Sequence, residues 1–60
     1  MIVLTKLNDT EIVINCDYIE IMEETPDTTI TLTTGRKIIV KEAVDDIIDK
    51  IITYKKCLNN

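Results

Sequence analysis

The stretch EETPDTTITLTTGRKIIVKE, Glu23 to Glu42, decides how the rest of this sequence is read. Thr28 to Thr33 alternates with a period of two: Ile30 and Leu32 face one way, Thr29, Thr31 and Thr33 the other. That is the pattern of a strand with one wet face. Turn chemistry bounds it on both sides. Upstream, Thr25-Pro26-Asp27-Thr28 reads as a type I turn, because proline presets the backbone at the second position and aspartate suits the third. Downstream, Gly35 supplies a positive φ without steric penalty and closes a hairpin. Arg36 to Val40 returns as a further strand, with Ile38 and Val40 inward and Ile39 outward. At Glu42 the pattern changes to a helical one.

Working outward, Met1 to Leu7 is a strand with Ile2 and Leu4 on one face and Val3, Thr5 and Leu7 on the other. Asn8-Asp9-Thr10 and Asn15-Cys16-Asp17 are turns, since Asn and Asp side chains bond nearby backbone and tolerate left-handed conformations. Between them lies a short returning strand, Glu11 to Ile14. In Tyr18 to Glu24, Ile19 and Ile21 oppose Tyr18, Glu20, Met22 and Glu24. Beyond Glu42, the residues Val44, Ile47, Ile48, Ile51, Ile52, Tyr54 and Leu58 fall within about 160° of helical arc at 100° per residue. Acids crowd the first turns and lysines the last, which complements the helix dipole, and Asp46 is spaced to pair with Lys50. Lys55 falls inside the apolar arc, so either the helix outruns its core there or the lysine stem lies on apolar surface. Asn59-Asn60 is expected to fray.

These elements make residues 1–60 a single α+β domain: a five-stranded antiparallel β-meander, open or curled into a partial barrel, followed by one C-terminal amphipathic helix. The strands fall at about 1–7, 11–14, 18–24, 28–33 and 36–40, and the helix at about 42–57. Short turns favour neighbouring strands pairing in order.

The core available to such a domain is thin. The chain has 12 Ile and 4 Val but no Phe or Trp, the side chains that bury most area. A 60-residue domain buries only about 60% of its unfolded surface. Abundant aliphatic residues on so small a frame point to a further buried surface, such as a self-association interface. Candidates are Val3, Val13, Ile39, Ile52 and Tyr54.

Composition excludes much chemistry. There is no His and no Ser, and Cys16 and Cys57 have no histidine to activate them. The two cysteines lie far apart, form no CxxC and read as free thiols in a reducing compartment. Glu23 and Glu24 point to opposite faces of a strand and cannot share a proton. Asp45-Asp46 is explained by the dipole. One glycine cannot make a phosphate loop. A hard-cation site among Glu20, Glu24 and Asp27 lacks EF-hand spacing. No enzyme, cofactor or metal is expected. The formal charge of −4 argues against nucleic acid, although Arg36, Lys37 and Lys41 gather three cations. With no basic leader before the first apolar strand and no apolar run near the ~20 residues of a membrane span, the protein is expected in the cytoplasm without membrane insertion.

LTKLN at Leu4 to Asn8, IVIN at Ile12 to Asn15, the opening stretch and the acidic-aliphatic helix after it resemble the FlbD/SwrD family of flagellar and swarming-motility proteins. The resemblance runs to about Tyr54. It departs at Asn8-Asp9, where the family commonly reads Asn-Gly, at Ile12, where Phe is usual, and at Thr34, where Asn precedes the glycine. The resemblance implies a non-enzymatic cytoplasmic protein, peripheral at the flagellar motor, that supports motor or stator power by protein contact. Glu20, Glu23, Glu24 and Asp27 then read as a surface for a basic partner segment. The alternative is a small β-rich regulator of flagellar genes that binds RNA or DNA.

Overall fold

Five strands and one helix follow one another in a computed structural model that describes residues 1–58; the expected fraying of Asn59-Asn60 lies outside the described residues. The strands are β1 (Ile2–Thr5), β2 (Glu11–Ile14), β3 (Ile19–Glu24), β4 (Thr28–Leu32) and β5 (Lys37–Val40), and the helix is α1 (Val44–Leu58). All the strand pairs are antiparallel. The α+β reading holds, and the sheet is not a closed barrel.

The pairing order differs from a simple meander. β1 and β2 form one sheet, and β3, β4 and β5 form another. The expected β2–β3 pairing is replaced by a 3-10 turn over Cys16–Tyr18. Its cause is local: the Asn15 side chain accepts a hydrogen bond from the Asp17 amide at 3.0 Å, and the Tyr18 amide donates to the Asn15 carbonyl at 3.0 Å. A capped turn redirects the chain before β2 can run on into β3. The two sheets instead meet where β1 ends beside β5. Lys6 and Val40 form an isolated antiparallel bridge, and the Lys41 amide donates to the Thr5 carbonyl at 2.8 Å. β2 and β3 therefore each pair on one side only.

Turn chemistry sets the hairpins. Asn8 accepts from the Thr10 amide at 3.1 Å, and Asp9 takes a φ of 68°. That left-handed conformation is one that Asp and Asn tolerate better than most residues. Gly35, at φ 91°, closes β4 onto β5 as expected, with the Leu32 amide bonded to the Arg36 carbonyl at 2.8 Å. The Thr25–Pro26 peptide is cis, unlike the type I turn expected there.

Leu4, Ile30, Val40 and Ile47 are fully buried, with Ile2, Ile14 and Cys16 beside them. Ile12, Ile19, Met22, Leu32, Ile38, Ile51 and Tyr54 pack around this centre. The inward residues of β1, β4 and β5 are those the period of two marks. β3 is the exception. Its register shifts between Ile19, opposite Leu32, and Ile21, opposite Thr31. The bulge at Glu20 turns Ile21 out to solvent and Met22 in toward Ile30, breaking the alternation expected of this strand.

Along α1, Ile47, Ile51 and Tyr54 face the sheets, while Ile48 and Ile52 are exposed. Leu58 is 65% exposed, so the helix does run past its core. The Lys55 amine lies 4.0 Å from the Asp17 carboxylate on the 3-10 turn, and both side chains are largely solvated. Asp46 and Lys50, though suitably spaced, do not form an ion pair.

Candidate functional site

The register across β3, β4 and β5 builds an outer face from two rows. Ile21, Thr31 and Lys37 form one; Glu23, Thr29 and Ile39 form the other. Neighbouring strands lie ~4.8 Å apart, so each row spans about 10 Å. Ile21 and Ile39 are about equally exposed, at 45% and 44%, and sit at opposite corners of this face. Ile21 joins it only because of the bulge, which is why the sequence pattern misses it.

Beside this face lies a groove of about 420 Å³ between the β1–β2 hairpin and β5. Leu7, Ile12, Ile38 and Ile39 give it an apolar lining, and Lys6, Arg36 and Lys37 give it a cationic one. Lys6 and Leu7 carry no local signal for such a role. They reach β5 because β1 ends beside it. A second groove of about 420 Å³ separates β1 from α1 and brings Val3 and Tyr54 together, with Met1, Asp49 and Lys50. Val13 stands opposite Val3 in the hairpin register and is 64% exposed. The five residues expected to form one self-association surface are thus divided. Val3, Val13 and Tyr54 cluster around the first strand, Ile39 lines the cationic groove, and Ile52 is exposed on α1.

The acidic set is also divided. Glu20 occupies the bulge, Asp27 the β3–β4 turn and Glu23 the outer face, all exposed. Glu24 points the other way. Its carboxylate accepts from the Val44 amide at 2.7 Å and caps the start of α1. Glu24 is therefore committed within the fold.

A second carboxylate holds the junction of the two sheets. Glu42 Oε1 and Oε2 accept from the Thr5 amide at 2.9 and 3.0 Å. Burial alone raises the pKa of this carboxyl. The amides of Thr5 and of Glu42 itself, the Thr5 hydroxyl and the Lys50 charge together outweigh burial and hold it below its ordinary value. Lys41, next in the chain, pairs with Asp9 of the first turn.

Cys16 is buried and Cys57 exposed, and both are free. Among the described residues, no group of three or more Cys, Asp or Glu side chains is placed to hold a metal ion. No described helix is long and apolar enough to cross a membrane.

Comparison with known proteins adds the biological context. No curated protein and no solved structure matches the chain. The FlbD family, described as flagellar and swarming motility proteins, matches residues 1–58. That span takes in all five strands and the whole of α1, and so the chain belongs to the FlbD family of flagellar and swarming motility proteins.

Proposed function

We propose that this protein supports motility as a non-enzymatic contact module in the cytoplasm. In this reading it associates with itself and touches a motor or stator protein, promoting the power of the flagellar motor. The observation that carries the reading is the distribution of apolar side chains. Ten large hydrophobic residues are at least 40% exposed, against six buried ones that form the centre of the core and seven partly buried ones around them. Scattered surface apolar residues are ordinary. Here they outnumber the fully buried ones, and several sit in register on one sheet face or line shared grooves, which favours a surface that partners cover.

The charged groups fit the same reading. Glu20, Glu23 and Asp27 remain available to meet a basic partner segment, with Glu24 occupied by the helix start. No step of this account requires a cofactor, a metal or a reactive side chain.

Photoreactive residues placed at Ile39 and at Glu23, in cells whose motility depends on this chain, test the reading. It expects adducts with a flagellar motor or stator protein, identified by mass spectrometry, from at least one position. Adducts confined to unrelated abundant proteins, in fully motile cells, contradict it.

A further inference from the structure

The groove between the β1–β2 hairpin and β5 is cationic in a protein of net charge −4. It gathers three of the seven basic residues, Lys6, Arg36 and Lys37, around an apolar lining that includes Leu7 and Ile39. Among the described residues the ion pairs are Lys41–Asp9 and Lys55–Asp17, so these three cations have no carboxylate partner there. The complementary surface is on α1. Ile48 and Ile52, one turn apart, are 40% and 47% exposed, and the exposed Asp45 and Asp49 lie along one side of them. They lie to one side of the stripe that buries Ile47 and packs Ile51 and Tyr54, so the fold leaves them uncovered.

We infer that the cationic groove receives the Asp45–Ile52 face of α1 from a second copy of this chain. The isoleucines enter the apolar lining, and Asp45 and Asp49 meet Arg36, Lys37 and Lys6. This rests on the self-association part of the reading above and assigns its two surfaces. The match is of two kinds at once, aliphatic knobs to an aliphatic groove and acids to unpaired bases. Donor and acceptor are different patches, so the contact joins copies head to tail unless a two-fold axis exchanges both.

Two variants on exposed positions separate the surfaces. Arg36→Glu with Lys37→Glu disables the groove; Asp49→Lys with Ile52→Lys disables the helix face. Circular dichroism checks that each folds. Light scattering across a concentration series then reads the mass, at moderate and high salt. The wild-type chain is expected to self-associate, less so at high salt. Each variant alone is expected to be monomeric. An equimolar mixture is expected to give a one-to-one dimer, because it restores one intact groove–helix contact. Variants that associate as the wild type does, or a mixture of folded variants that stays monomeric, overturn this assignment and leave self-association through another face standing. A wild-type chain that is monomeric throughout overturns self-association itself.

Discussion

The Glu24 carboxylate accepts a hydrogen bond from the Val44 amide at 2.7 Å, tying the end of β3 to the first residue of α1 across 20 positions of sequence. With Glu42 on the Thr5 amide, it makes two acidic side chains into fasteners that add to the backbone and core contacts between elements distant in sequence. A helix start leaves unsatisfied amides that carry partial positive charge. A carboxylate is the best acceptor for them.

Glu24→Ala is expected to lower stability by roughly 1 kcal/mol, the usual cost of losing an N-terminal cap. Glu24→Gln keeps an acceptor and is expected to lose less. Urea midpoints for the two variants check this ranking. Equal stability of Glu24→Ala and wild type contradicts the capping role.

The Glu42 carboxyl titrates below its ordinary value. As pH falls, the unfolded chain takes up this proton first, so the unfolded state binds more protons and is favoured. The stability contributed by Glu42 is thus complete above the unfolded value of about 4.3 and disappears as pH falls through the lower folded value. Glu42→Gln is expected to show a flatter loss of stability across this acid range. Parallel pH profiles for the two proteins contradict it.

Ile30 is fully buried, while Ile39, on the adjacent strand, is 44% exposed. Ile30→Ala removes packed methyl groups and leaves a cavity, at a cost of about 2–5 kcal/mol. That is a large share of the total stability of a chain this short. Ile39→Ala is expected to stay within about 0.5 kcal/mol, as for an ordinary surface change. Thermal or urea unfolding distinguishes the two, and a large loss at Ile39 contradicts its placement outside the core.

A Cβ built at Gly35 meets no atom within 4 Å, so space does not require glycine there. Its φ of 91° does. Gly35→Ala is expected to cost about 1 kcal/mol through backbone strain alone. Chemical denaturation measures it, and a neutral substitution contradicts the turn geometry.

Most of the fold was legible because its signals are local. The alternation of Thr28 to Thr33, the glycine of the β4–β5 hairpin and the 3.6-residue period after Glu42 each act within a few positions. The joining of β1 to β5 was not legible, since nothing near Lys6 announces that Val40 lies beside it. The bulge at Glu20 was hidden for another reason: Ile21 and Met22 are both apolar, so the sequence permits either to point inward. The contact surfaces share this fate. Ile39 and Ile52 are visible as outward aliphatic residues, but Ile21 and the Lys6–Arg36–Lys37 lining appear only once the register and the sheet junction are known. Glu24 looked like part of an acidic surface because its partner, a backbone amide, leaves no mark in the sequence.

The central claim is that the outer surface, not a reactive centre, supports motility. The most direct test is the motility of cells whose own copy is replaced by an Ile21→Ser, Ile39→Ser variant. The variant is first shown to fold and to accumulate normally. The account predicts reduced swarming and reduced motor torque with a normal number of flagella. Full swarming and full torque in those cells contradict it.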